Sequence, residues 1–233
     1  MENYTKYKLK AYGELADLLE GKDNLFIIAC NKCFKEFETL QEPDCDAFLK
    51  LAEGLDKNIT GIAKADFLCN KTKAQKGLPA MIPEGTEHVV VISCGLGIQT
   101  VAEVSGRSII AACDSINYTG HHGMALTKKA CDACAQCYLN ITGGICPIVD
   151  CSKSLINGQC GGAKNGKCEV SPDKDCAWQK IQERLEKQGR IGELTAQSVQ
   201  VRDWSKINFK VIMTMSRPSA ARLWRAGTAV SIR

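Results

Sequence analysis

The sequence predicts an α/β fold, in which a doubly wound, mostly parallel sheet is followed by a loop-rich, cysteine-rich domain and then a C-terminal helix and tail. Short apolar runs of strand length alternate with helical patterns through the first half of the chain, as in doubly wound sheets. Eight of the 14 cysteines then crowd into residues 131–176, with glycines between them. We therefore expect an α/β domain at 1–125, a cysteine-rich domain at 126–195 and a C-terminal tail at 196–233.

The first half is expected to contain alternating helices and strands. In chain order these are a helix at 8–20, a strand at 25–29, a helix at 44–55, a weaker strand at 59–68, a strand at 88–93, a turn and helix at 95–106, and a strand at 108–112. The helices are predicted from apolar residues spaced along one face. The run at 88–93 is the clearest strand, because its β-branched residues suit a strand that is buried on both faces.

The second half has a different character. From Ala130 to Cys176 a cysteine occurs about every six residues among frequent glycines, so we expect little regular structure there. A bound group would have to hold such a segment together. Residues 177–190 predict a helix, and 209–213 predict a short strand within a basic tail. Trp178 is expected either to pack within the cysteine-rich domain or, with the basic tail, to form a docking surface.

Composition excludes several classes of protein. The chain is 45 % hydrophobic and 24 % charged, which is too apolar for a disordered chain. Its net charge of +4 is too small and mixed to indicate a nucleic-acid partner. The longest apolar runs have about six residues where a membrane span needs about 20, and no secretory signal is present. We therefore expect a cytoplasmic protein with reduced thiols, so that its cysteines indicate metal binding rather than disulfides.

The strongest motif is Cys131-x2-Cys134-x2-Cys137-x8-Cys146-Pro147. Bacterial ferredoxins use a similar C-x2-C-x2-C run and a more distant Cys-Pro, although their last gap is x3. Eight thiolates match two [4Fe–4S] clusters, and the predicted ligands are Cys131, Cys134, Cys137, Cys146, Cys151, Cys160, Cys168 and Cys176. Two structural zinc sites of four thiolates each are the alternative. Which four cysteines would share a cluster is left open by the spacing.

A second candidate site lies in the α/β domain. Cys30, Cys69 and Cys94 follow predicted strands, and the carboxyl ends of parallel strands meet at one sheet edge. Cys33 shares a loop with Cys30. We expect Cys30, Cys33, Cys69 and Cys94 to bind one zinc ion or a further cluster. A redox dithiol at Cys30 and Cys33, or a set of small buried hydrophobic residues, are the alternatives.

Residues 143–190 carry an ordered series of short motifs. These are Gly143-Gly144-Ile145-Cys146-Pro147, Lys153-Ser154-Leu155 with Asn157-Gly158, Cys160-Gly161-Gly162, Gly166-Lys167-Cys168-Glu169-Val170, and Cys176-Ala177-Trp178. With the Cys131–Cys137 run, the series closely resembles the cysteine-rich C-terminal module of methylenetetrahydrofolate reductase. That module also occurs as a separate small subunit beside the flavin-bearing reductase subunit, in anaerobic bacteria that use the methyl branch of the reductive acetyl-CoA pathway.

The resemblance implies a non-catalytic, electron-transfer subunit of an oxidoreductase complex. Its two [4Fe–4S] clusters would deliver electrons to the flavin of the partner subunit, which reduces 5,10-methylenetetrahydrofolate, and an upstream donor protein would supply those electrons. The chain itself is not expected to bind folate or flavin, because such a reductase is a (β/α)8 barrel of about 250 residues. The alternatives are a zinc-stabilised module that tethers the complex without electron transfer, and a ferredoxin-like adaptor of an unrelated enzyme.

Overall fold

A computed structural model describes residues 6–31, 42–117 and 131–207 of the chain. Its elements are β1 (Lys6–Leu9), α1 (Tyr12–Leu19), β2 (Asn24–Cys30), α2 (Glu42–Gly54), β3 (Asn58–Ala65), α3 (Lys71–Met81), β4 (His88–Ile92), α4 (Gly95–Ser105), β5 (Ile109–Ala111), β6 (Cys113–Asn117), α5 (Pro147–Asp150), β7 (Lys167–Cys168), β8 (Ser171–Asp175), α6 (Ala177–Lys187), α7 (Ile191–Ala196) and a 3-10 turn (Trp204–Lys206). Cys33, the strand predicted at 209–213 and the basic tail lie outside the described residues.

The central sheet is parallel, as the sequence predicts, with the strand order β3-β2-β4-β5. Alternate side chains of β2 enter two separate cores. Leu25 and Ile27 share one core with α1 and α2, and Phe26 and Ile28 share the other with α3 and α4. Helices therefore cover both faces of the sheet, which explains why its central strands are continuous apolar runs.

The prediction of a helix at 8–20 is wrong for its first residues. Residues Lys6–Leu9 form β1, which pairs antiparallel with β6, and the helix starts only at Tyr12. The pairing of Leu9 with Cys113 joins distant parts of the chain, so no local pattern reveals it. Helix α3 was not predicted, because its sequence is rich in lysine and carries an internal Pro79 instead of a long apolar stripe.

The beginning of the cysteine-rich segment is fixed onto the α/β domain. The Ala111 N–H donates to Asn140 Oδ1 at 2.7 Å, and Asn140 Nδ2 donates back to the Ala111 carbonyl at 3.1 Å. Asn140 thereby pairs with main-chain groups of β5 that would otherwise form an open sheet edge. Gly144 lies so close to α4 that a Cβ there would collide with Ala102.

The rest of the segment consists mostly of turns, as predicted, with only α5 and the small β7–β8 hairpin. Helix α6, predicted at 177–190, ends at Lys187 and buries Trp178, Ile181 and Leu185. Trp178 Nε1 donates to the Leu155 carbonyl at 2.9 Å, which confirms the packing interpretation of this tryptophan. Among the described residues, no helix is long and apolar enough to cross a membrane.

Candidate metal centre

Four of the predicted ligands line one pocket at the carboxyl end of β4. They are Cys131, Cys134, Cys137 and Cys146. Gly95 and Gln99 at the start of α4 complete the wall on the side of the sheet. Ligands of parallel α/β sheets bind at this edge. The structure thus brings the C-x2-C-x2-C run and the cysteine before Pro147 to the same place.

The loop that carries the first three cysteines has an unusual backbone. Ala133 and Ala135 adopt positive φ angles of 48° and 53°, on either side of Cys134. Such angles are rare outside glycine and persist only where surrounding contacts hold them, often around ligands. One such contact is the Ala135 N–H, which donates to the Ser115 carbonyl of β6 at 2.9 Å. The fold therefore holds this loop in a strained form that turns its cysteines toward the pocket.

A buried ion pair between Lys10 and Asp114 contacts the backbone of Cys137. Asp114 Oδ1 accepts the Cys137 backbone N–H at 2.8 Å and also lies 2.9 Å from Lys10 Nζ. The Lys10 and Asp114 side chains are only 1 % and 6 % exposed. Burial alone would lower the pKa of Lys10, but Asp114 and Glu14 outweigh it and leave that pKa raised, so Lys10 is a buried cation beside the pocket.

Burial favours the neutral form of three of the four thiols in this pocket. Burial raises the pKa of Cys146 to about 12. It also raises the pKa of Cys137 well above its ordinary value, although the positive charge of Lys10 acts in the opposite direction. The pKa of Cys134 is raised for the same reason. Deprotonation of these thiols therefore needs a compensating cation in the pocket.

Tyr138 adds an unpaired polar atom to the same pocket. Its side chain is buried, and its hydroxyl has no hydrogen-bond partner within the part of the chain that the structure describes. Burial, followed by the proximity of Cys134, raises the pKa of this hydroxyl, so it remains a donor. A buried donor without an acceptor is costly, and its place on a pocket wall indicates that a bound group accepts from it.

A segment from the C-terminal side covers this loop. The side chain of Gln136 donates to the Val201 carbonyl at 3.2 Å and accepts the Asp203 N–H at 2.9 Å. Arg202 lies 3.7 Å from Asp132 and stacks on the Trp204 ring at 4.0 Å from its centroid. We call residues 199–204 the strap.

The remaining four predicted ligands lie in a more open setting. Cys151 and Cys176 pack in one small core with Trp178 and Ile181, and Cys160 is exposed. Cys168, on β7, lies 3.5 Å from the Ser152 hydroxyl. That hydrogen bond lowers the pKa of Cys168, opposite to the shift in the first pocket.

The cysteines of the α/β domain do not share one side of the sheet. Cys30 is the last residue of β2 and packs in the core with α3 and α4, whereas Cys94 precedes α4 and packs in the other core. Cys69 is half-buried in the turn before α3, and Cys33 is outside the described residues. Within residues 6–31, 42–117 and 131–207, no group of three or more His, Cys, Asp or Glu side chains is arranged to hold a metal ion. The site at Cys30, Cys33, Cys69 and Cys94 stays a prediction.

Four residues around the pocket belong to no metal-ligand motif, and the sequence therefore did not predict them. Asp114 lies on β6 and Lys10 directly follows β1, so the two meet only in the folded chain, and Arg202 belongs to the strap. The position of Tyr138 directly after Cys137 was the one available signal for it. Tertiary structure, not spacing, defines the surroundings of the thiols.

The fold and the site place the chain among parallel α/β proteins that carry a cysteine-rich module. The cysteine-lined pocket lies where this module packs on the α/β domain. Residues 110–205 match the family model described as methylene-tetrahydrofolate reductase C terminal, so this segment is similar to a C-terminal module of that reductase family. The match runs from β5 to the strap and includes both groups of four cysteines. No curated protein and no solved structure matches the chain.

Proposed function

We propose that this chain is the electron-transfer subunit of a methylenetetrahydrofolate reductase complex and that it carries two [4Fe–4S] clusters. It passes electrons to the flavin of a partner subunit, where the reduction of the folate takes place. The observation that carries this proposal is the pocket that gathers Cys131, Cys134, Cys137 and Cys146. The family match to a reductase C-terminal module supports the association with a reductase subunit.

The donor set of the first pocket fits a [4Fe–4S] cluster better than a zinc ion. Structural zinc needs four ligand atoms that converge on one point, at about 2.3 Å for sulfur. In a [4Fe–4S] cluster each thiolate binds a different iron atom, so the four sulfurs stand further apart. The first pocket gathers four cysteines, three of them at C-x2-C-x2-C spacing, and this spacing favours the second arrangement.

The surroundings of the pocket also fit a cluster. The unpaired Tyr138 hydroxyl is a hydrogen-bond donor for a thiolate or sulfide, and Lys10 supplies a buried positive charge. Hydrogen bonds to sulfur, local charge and exclusion of water are the means by which a protein sets the potential of a cluster. The bound group would supply one-electron transfer, while these side chains hold the thiolates, balance their charge and keep the site dry.

We assign Cys151, Cys160, Cys168 and Cys176 to the second cluster. Three of them lie around the contact between α5, the β7–β8 hairpin and the start of α6, and Cys168 has a lowered thiol pKa that favours the thiolate. Cys160 is exposed and lies in the glycine-containing turn Cys160-Gly161-Gly162. The support here is the number of thiols and their shared neighbourhood.

The test is electron transfer to the partner's flavin. The full chain, prepared without oxygen and chemically reduced, is mixed with the flavin-bearing reductase subunit, and flavin bleaching is followed by absorbance. We expect bleaching that depends on the wild-type chain and is lost with Cys137→Ser. Cys45→Ser is the matched control, because Cys45 is a buried cysteine of α2 and does not line the pocket. Equal bleaching by wild type and Cys137→Ser would overturn the proposal.

A further inference from the structure

The strap exposes an unusual amount of apolar surface. Val199 and Val201 are 78 % and 76 % exposed, and Trp204 is 57 % exposed. Single exposed apolar side chains are common on protein surfaces, but three within six residues form a patch of the kind that marks an interaction site. Tryptophan is also among the residues most often central to protein–protein binding.

The patch is held in place by hydrogen bonds at several points. The Gln200 N–H donates to Asn157 Oδ1 at 2.7 Å, and Asn157 Nδ2 donates to the Gln200 carbonyl at 2.9 Å. Gln136 makes a second such pair with the strap, at Val201 and Asp203. A surface fixed in this way can bind without a large cost for ordering it.

The same contacts place the patch directly over the first cysteine pocket. Gln136 lies between two pocket cysteines in sequence and lines the pocket itself. Arg202 stacks against Trp204, and it also lies 3.7 Å from Asp132, which lines the pocket. A partner that binds Val201 and Trp204 would therefore approach the pocket closely, which short-range electron transfer requires.

The charge of the adjoining sequence indicates the chemistry of the partner. Residues 206–233 contain six basic residues and no Asp or Glu. The basic residues are Lys206, Lys210, Arg217, Arg222, Arg225 and Arg233. An apolar patch followed by a segment of one charge sign is complementary to a surface with an apolar centre and acidic surroundings.

We propose that the strap, residues 199–204, is the docking face for the electron-accepting flavoprotein, which presents an apolar patch flanked by acidic groups. This inference rests on the proposed function, because it takes the occupant to be the flavin-bearing reductase subunit. It adds the surface through which electrons leave the chain. The first cluster pocket is then the one nearest the partner.

The test measures binding of the full chain to the flavin-bearing subunit by isothermal titration calorimetry without oxygen. Val201→Ser and Trp204→Ala should each raise Kd by about tenfold or more, as expected at the centre of an interface. Val170→Ser is the matched control, since Val170 is 59 % exposed on the turn between β7 and β8, and its Kd should stay within about twofold of wild type. Unchanged binding by both strap variants overturns the docking face.

The iron content of each variant separates this proposal from the proposed function. Strap variants should keep the wild-type iron content, since their side chains point to solvent. A wild-type chain that binds the flavoprotein but contains no iron would contradict the clusters and leave the docking face standing. If the chain contains the full amount of iron and its strap variants bind the flavoprotein normally, the docking face is contradicted and the clusters are not.

Hydrogen exchange distinguishes the other possible occupants. Backbone amides of residues 199–204 should gain protection when the flavoprotein is added, and higher salt should weaken that protection. If a chain truncated after residue 207 loses protection there without any partner, the chain's own tail covers the patch and the proposal is wrong. Protection that rises with the concentration of the chain alone would identify a second copy as the occupant and would equally overturn it.

Discussion

The two groups of four cysteines are held in contrasting ways. Cys131, Cys134, Cys137 and Cys146 line a pocket against the carboxyl edge of a parallel sheet, and burial raises the pKa of three of them. Cys151, Cys160, Cys168 and Cys176 lie in turns around α6, where Cys160 is exposed and the pKa of Cys168 is lowered. The first group depends on the α/β domain, and the second depends mainly on its own segment.

A loop-rich module can thus hold two groups of thiols in different surroundings. The first group of thiols lines a pocket that is bordered by a buried ion pair. The second group lies in turns that water can reach. Solvent exposure, net charge and hydrogen bonds to sulfur set the potential of a cluster. On the proposed function, the two clusters would therefore differ in potential, which gives electron flow through the chain a direction.

The largest expected effect is on thiol reactivity in the metal-free chain. At pH 8 a thiol with a pKa of about 12 is about one part in 10,000 thiolate, whereas the lowered pKa of Cys168 leaves a substantial thiolate fraction. Iodoacetamide should therefore label Cys168 much faster than Cys146, as measured by peptide mass spectrometry.

The pH dependence of labelling provides the control. Between pH 8 and pH 10 the rate at Cys146 should rise about tenfold per pH unit, because its raised pKa lies above that range. The rate at Cys168 should level off within the range. Similar rates and similar pH profiles for the two thiols would remove the contrast between the two groups.

Iron content should respond separately to the two groups. Cys137→Ser is expected to lower the iron content from about eight to about four atoms per chain, because only the first cluster loses a ligand. Cys45→Ser should keep about eight. Metal analysis of both variants decides the result, and loss of all the iron from Cys137→Ser would show that the groups are not independent.

The sequence predicted the parallel strands well because β2 and β4 are buried on both faces and therefore read as continuous apolar runs. The C-x2-C-x2-C spacing is local and can be read from the sequence, whereas the role of these cysteines as ligands stays a prediction. It could not predict Lys10 beside Asp114, because that contact depends on the antiparallel pairing of β1 with β6. Nor could spacing show that Cys146 joins the first three cysteines, which depends on how residues 138–146 turn against β5 and α4.

Loss of the buried ion pair between Lys10 and Asp114 should reduce the stability of the fold. Lys10→Met leaves Asp114 buried without its cation, which should lower the free energy of unfolding by roughly 3–5 kcal/mol. Urea unfolding measures the change, and Lys8→Met is the control because Lys8 is exposed on β1, two residues before Lys10. We also expect faster loss of iron to a chelator from Lys10→Met, since the Asp114 contact to the Cys137 N–H is disturbed. Equal stability of the two variants would exclude a structural role for the pair.

The smallest expected effect concerns the cysteines of the α/β domain. If Cys30, Cys33, Cys69 and Cys94 hold one metal, Cys94→Ser should release a single metal ion per chain and leave the iron of the eight-cysteine segment in place. Elemental analysis of wild type and variant measures this difference. An unchanged metal content would refute the site and agree with the placement of Cys30 and Cys94 in different cores.

The presence of two [4Fe–4S] clusters is tested most directly by elemental analysis combined with electron paramagnetic resonance of the full chain, purified without oxygen. We expect a brown protein with about eight iron atoms per chain and, on reduction, the signals of two [4Fe–4S] clusters. A colourless protein with two zinc ions and no iron would contradict it.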